Sequence, residues 1–407
     1  MAEHVPVGSE VLLQPSPVRP HRITVLLVDD QAMIGEAVRR MLAGQADLDY
    51  HYHGDPTTAL QKARDVAPTV ILLDLVMPDL DGMTLLKFFR ANPGTREVPI
   101  IVLSSKEEPV TKAEAFGLGA NDYLVKLPDP IELLARVRHH SGGYIAQIER
   151  NEAFAALERS QRALAHELAQ AAAYVRSLLP GPLAGAIATD WRYIPSVQLG
   201  GDSFGYDWLD EDRFALFLLD VSGHGVKSAL LSMTAMNAVR TRTLPDVDFG
   251  DPAQVLAALN GAFQMDLYEG MYFTIWYGVF HRATRRMVFS NAGHPPALVV
   301  SRDGTVPTVT KLGDAGFAIG MIPGVPFDNA EAVLPPGCNL FLFSDGAYEI
   351  TQPTGTMWTL DEFAGTLRLS DPTLGQADLG LVEATIRRVR GVEQFEDDVS
   401  ILAVRFE

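Results

Sequence analysis

Five residues in the first third of the chain are of the types that move a phosphoryl group: Asp29, Asp30 and Asp74, with Ser104 and Lys126. Each closes a short apolar run. Asp29 and Asp30 follow Ile23–Val28, Asp74 follows residues 70–73, Ser104 follows residues 100–103, and Lys126 follows residues 123–125. In an open parallel sheet the carboxyl ends of the strands line one crevice, so residues far apart in sequence meet there. Three carboxylates with a backbone oxygen make a hard-oxygen site suited to Mg²⁺. A carboxylate at its centre can attack a phosphoryl donor while metal, hydroxyl and ammonium neutralise the equatorial oxygens. Asp74 is the residue placed for that attack. A single strand-end aspartate commonly does no more than cap a loop or helix, but that does not account for the whole set.

A second set lies in the carboxy-terminal half. Gly200-Gly201-Asp202 follows a strand, Asp220-Val221-Ser222-Gly223-His224-Gly225 ends a hydrophobic strand, Ser344-Asp345-Gly346 ends another, and Asp397-Asp398-Val399-Ser400 begins the last. Four or five carboxylates in one cleft repel one another unless cations sit among them. Oxygen ligands favour Mg²⁺ or Mn²⁺ over zinc or copper. Two such ions can share and acidify a water and hold it in line with a phosphoester, which makes a hydrolase without a covalent intermediate. A cysteine-based phosphatase is excluded, because the lone Cys338 lies in Pro335-Pro336-Gly337-Cys338 and not before a phosphate-cradling arginine. His224 has two readings: a general acid for the leaving oxygen, or a cap on the helix that follows. His294, in Asn291-Ala292-Gly293-His294-Pro295-Pro296, reads as a shaper of a hairpin turn.

These sites need elements to carry them. Apolar strand-like runs alternate with amphipathic helical stretches through residues 23–140, the pattern of a parallel sheet covered by helices. The last helix of that unit continues, past a possible break at Ser141-Gly142-Gly143, into a long polar helix. There Phe154, Leu157, Gln161, Leu164, Leu168, Ala171, Val175 and Leu178 are spaced by three and four, a coiled-coil rhythm. The same stripe also suits a helix packed on its own domains. Pro180-Gly181-Pro182 stops it. Beyond residue 185, strands that look paired with each other are interspersed with helices, which implies an α+β domain of stacked, mostly antiparallel sheets with helices outside. The expected division is a loose tail over 1–20, a flavodoxin-like α/β domain over 21–140, a helical, coiled-coil-like linker over 141–180 and the α+β domain over 181–407.

A net charge of −18 argues against a nucleic-acid binder. The chain shows neither a helix-turn-helix segment after its first domain nor a basic stripe. With one cysteine, no apolar run long enough to cross a bilayer and no signal-peptide pattern in residues 1–20, the expected location is the cytoplasm, away from membranes.

The stretch Ile71-Leu72-Leu73-Asp74-Leu75-Val76-Met77-Pro78-Asp79-Leu80-Asp81-Gly82, with Val28-Asp29-Asp30, resembles the response-regulator receiver family. The resemblance implies phosphorylation of Asp74 by a sensor histidine kinase. It further implies Mg²⁺ held by Asp29, Asp30, Asp74 and the Val76 carbonyl, and a switch pairing Ser104 with Tyr123. The family usually carries proline directly after the lysine; here Leu127 intervenes before Pro128, which puts the usual cis peptide in doubt. Asp79 and Asp81 read as loop residues without a chemical role.

The four acidic motifs, with the Asn291 to Pro296 segment, resemble the metal-dependent (PPM-type) serine/threonine phosphatases of the SpoIIE-like branch. Carried over, Asp220 bridges two Mn²⁺ or Mg²⁺ ions, Val221 offers its carbonyl, Asp202 supports the second metal, and Asp345 and Asp397 hold the first, with Asp398 as the alternative to Asp397. Ser400 replaces the threonine common in this branch and keeps the hydroxyl. The implied function is a two-component regulator in which Asp74 controls dephosphorylation of phosphoserine or phosphothreonine on a partner, for this branch usually a STAS-type anti-sigma-factor antagonist. The alternative is an adaptor that binds a sigma factor or other signalling protein through a degenerate phosphatase domain. An adaptor is free to lose metal carboxylates, and this chain keeps Asp202, Asp220, Asp345 and Asp397. A homodimer through residues 144–179 is the expected coupling device.

Overall fold

The computed structural model describes residues 21–105, 108–303, 306–314, 316–369, 377–391 and 395–407. The tail expected over residues 1–20 lies outside them. The chain divides into two compact units with the boundary after Gln161.

The first unit runs β1 (Ile23–Val28), α1 (Ala32–Met41), β2 (Leu48–His53), α2 (Ala59–Val66), β3 (Val70–Asp74), α3 (Gly82–Ala91), β4 (Ile100–Ser104), α4 (Pro109–Gly117) and β5 (Asp122–Val125), then enters α5 (Pro130–Leu178). All five strands are parallel, in the order β2-β1-β3-β4-β5. β3 and β4 are buried along their whole length. Strands covered on both faces need apolar side chains at every position, so these read as continuous runs and not as alternation. β2, Leu-Asp-Tyr-His-Tyr-His at the sheet edge, has one buried residue and no such run. The strand order reverses between β1 and β3, and the ends of those strands open the crevice.

α5 is one continuous helix, so the possible break at Ser141-Gly142-Gly143 does not occur. Ser141 is fully buried there, and its Oγ donates to Thr69 Oγ1 at 2.5 Å. That contact anchors the helix where its sequence is weakest. Farther on, Phe154, Leu157 and Leu164 are exposed, while Val175 and Leu178 pack against the core of the second unit. The carboxy-terminal end of the stripe therefore serves its own domain.

The second unit contains β6 (Ile187–Ile194), β7 (Asp202–Trp208), β8 (Arg213–Val221), α6 (Val226–Arg240), α7 (Pro252–Ala262), β9 (Phe273–His281), β10 (Arg286–Ala292), β11 (Ala297–Asp303), β12 (Val306–Leu312), β13 (Ala330–Val333), β14 (Cys338–Phe343), α8 (Leu360–Leu369), α9 (Leu379–Arg390) and β15 (Val399–Phe406). They form two five-stranded antiparallel sheets, β13-β10-β9-β8-β7 and β12-β11-β14-β15-β6. α6 packs on β7 and β8 and α7 on β9 and β10, while α8 and α9 pack on the other sheet. One core, including Phe204, Leu218, Trp276, Leu340 and Leu402, draws on both sheets, and a second, including Phe341, Phe363 and Ile386, lies with α8 and α9. Among the described residues no helix is long and apolar enough to cross a membrane.

Candidate metal and phosphoryl-transfer sites

In the first unit the expected residues converge. Asp29 and Asp74 are buried, and Lys126 Nζ lies 2.9 Å from Asp29 Oδ2 and 2.8 Å from Asp74 Oδ2. The backbone N–H of Gln31 donates to Asp29 Oδ1 at 2.9 Å and that of Val76 to Asp74 Oδ1 at 3.2 Å. Burial raises the Asp74 carboxyl above its ordinary range, and the hydrogen bonds from Lys126 and Val76 only partly offset it. Burial opposes the charge on Lys126, but hydrogen bonds to Asp74 and Asp29 outweigh it and hold the ammonium above its usual range. Among the described residues, Asp29, Asp30 and Asp74 form the one group of three whose ligating atoms all lie within 4.8 Å of one another. The remaining buried oxygen, Asp30 Oδ1, has no hydrogen-bond partner. An oxygen-only set with unmet charge fits a hard divalent cation.

The loop after β3 explains its own sequence. A Cβ on Gly82 would sit 2.0 Å from the Asp74 carbonyl oxygen, so only glycine lets α3 start this close to the acceptor. Asp81 caps α3, accepting from the Thr84 backbone at 3.0 Å and from its hydroxyl at 2.8 Å. Ser104 is buried at the end of β4, and Tyr123 is half-buried with Lys112 Nζ 5.3 Å from its ring centroid. Leu127 takes a left-handed φ of 55°, and no cis peptide occurs among the described residues.

In the second unit four acidic motifs meet where the two sheets end together. Asp202 opens β7, directly opposite Asp220 near the end of β8. Asp345 follows β14 and Asp397 precedes β15. A Cβ on Gly346 would lie 2.2 Å from the Asp398 carbonyl oxygen, so this glycine lets the Asp345 loop close on the Asp397 loop. The Val221 carbonyl lies against Gly201.

Electrostatic repulsion couples the members of the set. Asp202 is fully buried, and both its oxygens lack a hydrogen-bond partner among the described residues. Burial, then the charges of Asp220 and Asp398, push its carboxyl well above the ordinary range, tempered by the hydroxyls of Ser400 and Ser344. Burial does the same to Asp220, with Asp345 and Asp397 adding to it. Asp345 is pushed up to about 6 by burial, with Asp397 and Glu349 contributing. Asp397 is raised by burial and by Asp398, with its hydrogen bond from the Asp398 backbone and the nearby His224 opposing. None of the four makes an ion pair with a lysine or arginine among the described residues. An all-carboxylate donor set in this state fits Mg²⁺ or Mn²⁺.

Asp397 and Asp398 have separate geometries. Asp397 is exposed, and its charge acts on Asp220 and Asp345. Asp398 is buried and already saturated: its Oδ1 accepts from the Ser196 backbone at 2.7 Å and its hydroxyl at 3.0 Å, and its Oδ2 accepts from the Gly201 backbone at 2.6 Å. Asp398 ties the loop before Asp202 to β15. Tyr193 packs close beside it, its hydroxyl lying 2.9 Å from where a Cβ on Gly200 would be. No spacing in the sequence pointed to Ser196 or Tyr193. Glu349 had a signal, since it stands one helical turn after Asp345.

His224 is exposed, and the helix after it is capped by Gly225 with no side-chain hydrogen bond, so the capping role is not taken. His294 is buried in the turn between β10 and β11. Its backbone N–H donates to Asn291 Oδ1 at 2.9 Å, and burial pushes its imidazole down to about 4. Cys338 is buried at the start of β14, its thiol pushed up to about 11 by burial.

Residues 25–138 match the family model of the response regulator receiver domain, and residues 210–407 match that of stage II sporulation protein E (SpoIIE). Phosphoserine phosphatase RsbP of Bacillus subtilis (strain 168) is 30% identical over 179 residues, which is 43% of this chain and 42% of RsbP. DNA-binding response regulator MtrA of Mycobacterium tuberculosis (strain ATCC 25618 / H37Rv) is 36% identical over 131 residues, 32% of this chain and 53% of MtrA. The chain thus spans about half the length of the curated relatives it matches. Among solved structures, the SiaA-PP2C domain of Pseudomonas aeruginosa is similar with a TM-score of 0.52 and 25% identity, covering 61% of this chain and 99% of that domain.

Proposed function

Because the chain joins a response-regulator receiver domain to a SpoIIE-type phosphatase domain, we propose that it is a regulated, metal-dependent protein serine/threonine phosphatase. The observation that carries the reading is the convergence of Asp202, Asp220, Asp345 and Asp397, mutually repelling and without an ion pair among the described residues. When bound, two Mn²⁺ or Mg²⁺ ions would supply an activated water and neutralise the phosphoryl oxygens. Asp220 with the Val221 carbonyl, together with Asp202, Asp345 and Asp397, would hold the ions. Asp398 holds the loop that carries Asp202. His224, exposed beside Asp397, is in place to hold a proton for the leaving seryl or threonyl oxygen.

In the receiver, Asp29, Asp30, Asp74 and the Val76 carbonyl would hold Mg²⁺. An Asp74 oxygen forms the bond to phosphorus as the bond to the histidine of a sensor kinase breaks, with the electron pair remaining on that nitrogen. Lys126 neutralises the incoming group, and Ser104 with Tyr123 would report it. The substrate class is a phosphorylated protein, with a STAS-type anti-sigma-factor antagonist the first to try, in the cytoplasm. The exposed Phe154, Leu157 and Leu164 on α5 suit pairing with a second copy.

The test is turnover of a phosphoserine protein by the full chain with Mn²⁺, with and without acetyl phosphate. Hydrolysis that needs Mn²⁺ and responds to the phosphodonor supports the proposal, and Asp74→Asn is expected to keep basal hydrolysis while losing the response. No hydrolysis of any phosphoprotein under saturating Mn²⁺ would leave the adaptor reading in its place.

A further inference from the structure

Antiparallel pairing sets Asp202 directly opposite Asp220, and Asp220 directly opposite Thr274 on β9. Directly paired residues project from the same face, with Cβ atoms ~5 Å apart. The three side chains therefore form one row across β7, β8 and β9. Trp276, two residues along β9, shows which face this is: its Nε1 donates to the Leu312 carbonyl of the other sheet at 2.9 Å. The row thus faces the space between the sheets, where the carboxylates gather.

Thr274 Oγ1 is buried and has no hydrogen-bond partner among the described residues. A buried hydroxyl without a partner is uncommon and calls for a reason. Its neighbour in the row is Asp220, at the centre of the acidic set. A lysine at this position would neutralise the carboxylate, as Lys126 does in the receiver, and would compete with cations for it. A hydroxyl can donate one hydrogen bond without bringing charge, and the β-branched side chain restricts the directions in which it can do so.

We propose that Thr274 is a positioning residue of the metal centre. When divalent ions draw in Asp220, Thr274 Oγ1 donates to one oxygen of that carboxylate and sets the direction in which the other is offered to the ions. The inference rests on the reading of the acidic set as a divalent-metal centre, and it adds a residue that none of the four acidic motifs contains.

The experiment measures Mn²⁺ binding to the full chain by calorimetry, alongside turnover of a phosphoester. Thr274→Val keeps the shape and removes the hydroxyl, so Mn²⁺ affinity is expected to fall about 10-fold, within the range for partners that orient metal ligands. kcat should fall with it while KM for the phosphoester changes little. Thr274→Ser returns the donor and should restore affinity to within about 2-fold of the parent. The metal-free melting temperature of Thr274→Val should not drop, because no existing hydrogen bond is lost. Unchanged Mn²⁺ affinity in Thr274→Val, or a Thr274→Ser protein as weak as Thr274→Val, overturns the assignment. A parent chain that binds no Mn²⁺ overturns the metal reading itself, and this inference with it.

Discussion

In the receiver, Lys126 reaches both Asp29 and Asp74, whereas Asp202, Asp220, Asp345 and Asp397 make no ion pair among the described residues. Both sites gather aspartates at strand ends, but only the first carries part of its own counter-charge. Under the proposed function, the difference follows from what each site has to do. A receiver must exist with and without a phosphoryl group, and a fixed ammonium limits the repulsion in both states. A hydrolase centre that uses two ions gains by leaving its carboxylates unneutralised, since every fixed cation would weaken metal binding.

The sharpest way to break this comparison is Asp220→Asn. Removing the carboxylate at the centre of the acidic set is expected to lower phosphoester turnover by more than the ~10- to 100-fold of partners that orient ligands. Steady-state rates under saturating Mn²⁺ decide it, and near-parental turnover would mean Asp220 is not at the centre of the metal site.

The next test concerns stability without metal. Asp345 has its carboxyl pushed up to about 6 in the folded state, so the native protein holds that proton more tightly than the unfolded chain does. Its stabilising contribution is present below about pH 4 and is lost as the pH rises through about 6. In EDTA, the second unit should therefore lose stability over that interval. Asp345→Asn should be more stable than the parent at pH 7 by roughly 2 kcal/mol. Denaturant unfolding across pH 4 to 7 measures both. In the receiver the sign reverses: Lys126→Met strands two buried carboxylates and should cost roughly 2 kcal/mol, below the ~3–5 kcal/mol of a fully buried pair because the ammonium is partly exposed. If both substitutions moved stability in the same direction, the contrast between the sites would fail.

The smallest expected effect separates Asp398 from its neighbour. Asp398→Asn leaves the cleft carboxylates in place but weakens the tie to Ser196 and Gly201, so a loss of about 10-fold in kcat is expected. Asp397→Asn should lose far more. Equal losses would make Asp398 a ligand in its own right.

How much of this was legible in the residues varies with the range of the interaction. β1, β3 and β4 could be read because strands buried on both faces must be apolar throughout, and β15 was bounded by Asp397-Asp398 at one end. β2 alternates polar and aromatic residues at a sheet edge and gave no such run. A strand was expected ahead of Gly200-Gly201-Asp202, where β6 lies, but its bounds could not be read, and β7 was missed because its mixed residues are stabilised by pairing with β8. The break looked for at Ser141-Gly142-Gly143 failed for a related reason. Local propensity disfavours a helix there, yet the helix continues, with Ser141 buried and held to Thr69, 72 residues earlier in the chain.

The residues alone determined the chemistry on offer: which carboxylates end strands, that the donors are oxygens, that the lone cysteine takes no part, and that Lys126 serves the first set. These follow from side-chain type and from short apolar periods, both of which are local. Only the tertiary structure decided that Asp397 is exposed while Asp398 is buried and hydrogen-bonded, that Gly225 and not His224 caps α6, and that Thr274 stands in line with Asp202 and Asp220. The first two depend on how loops meet in the folded chain, and the last on the register of β7, β8 and β9, where a shift of one residue would turn a side chain to the opposite face.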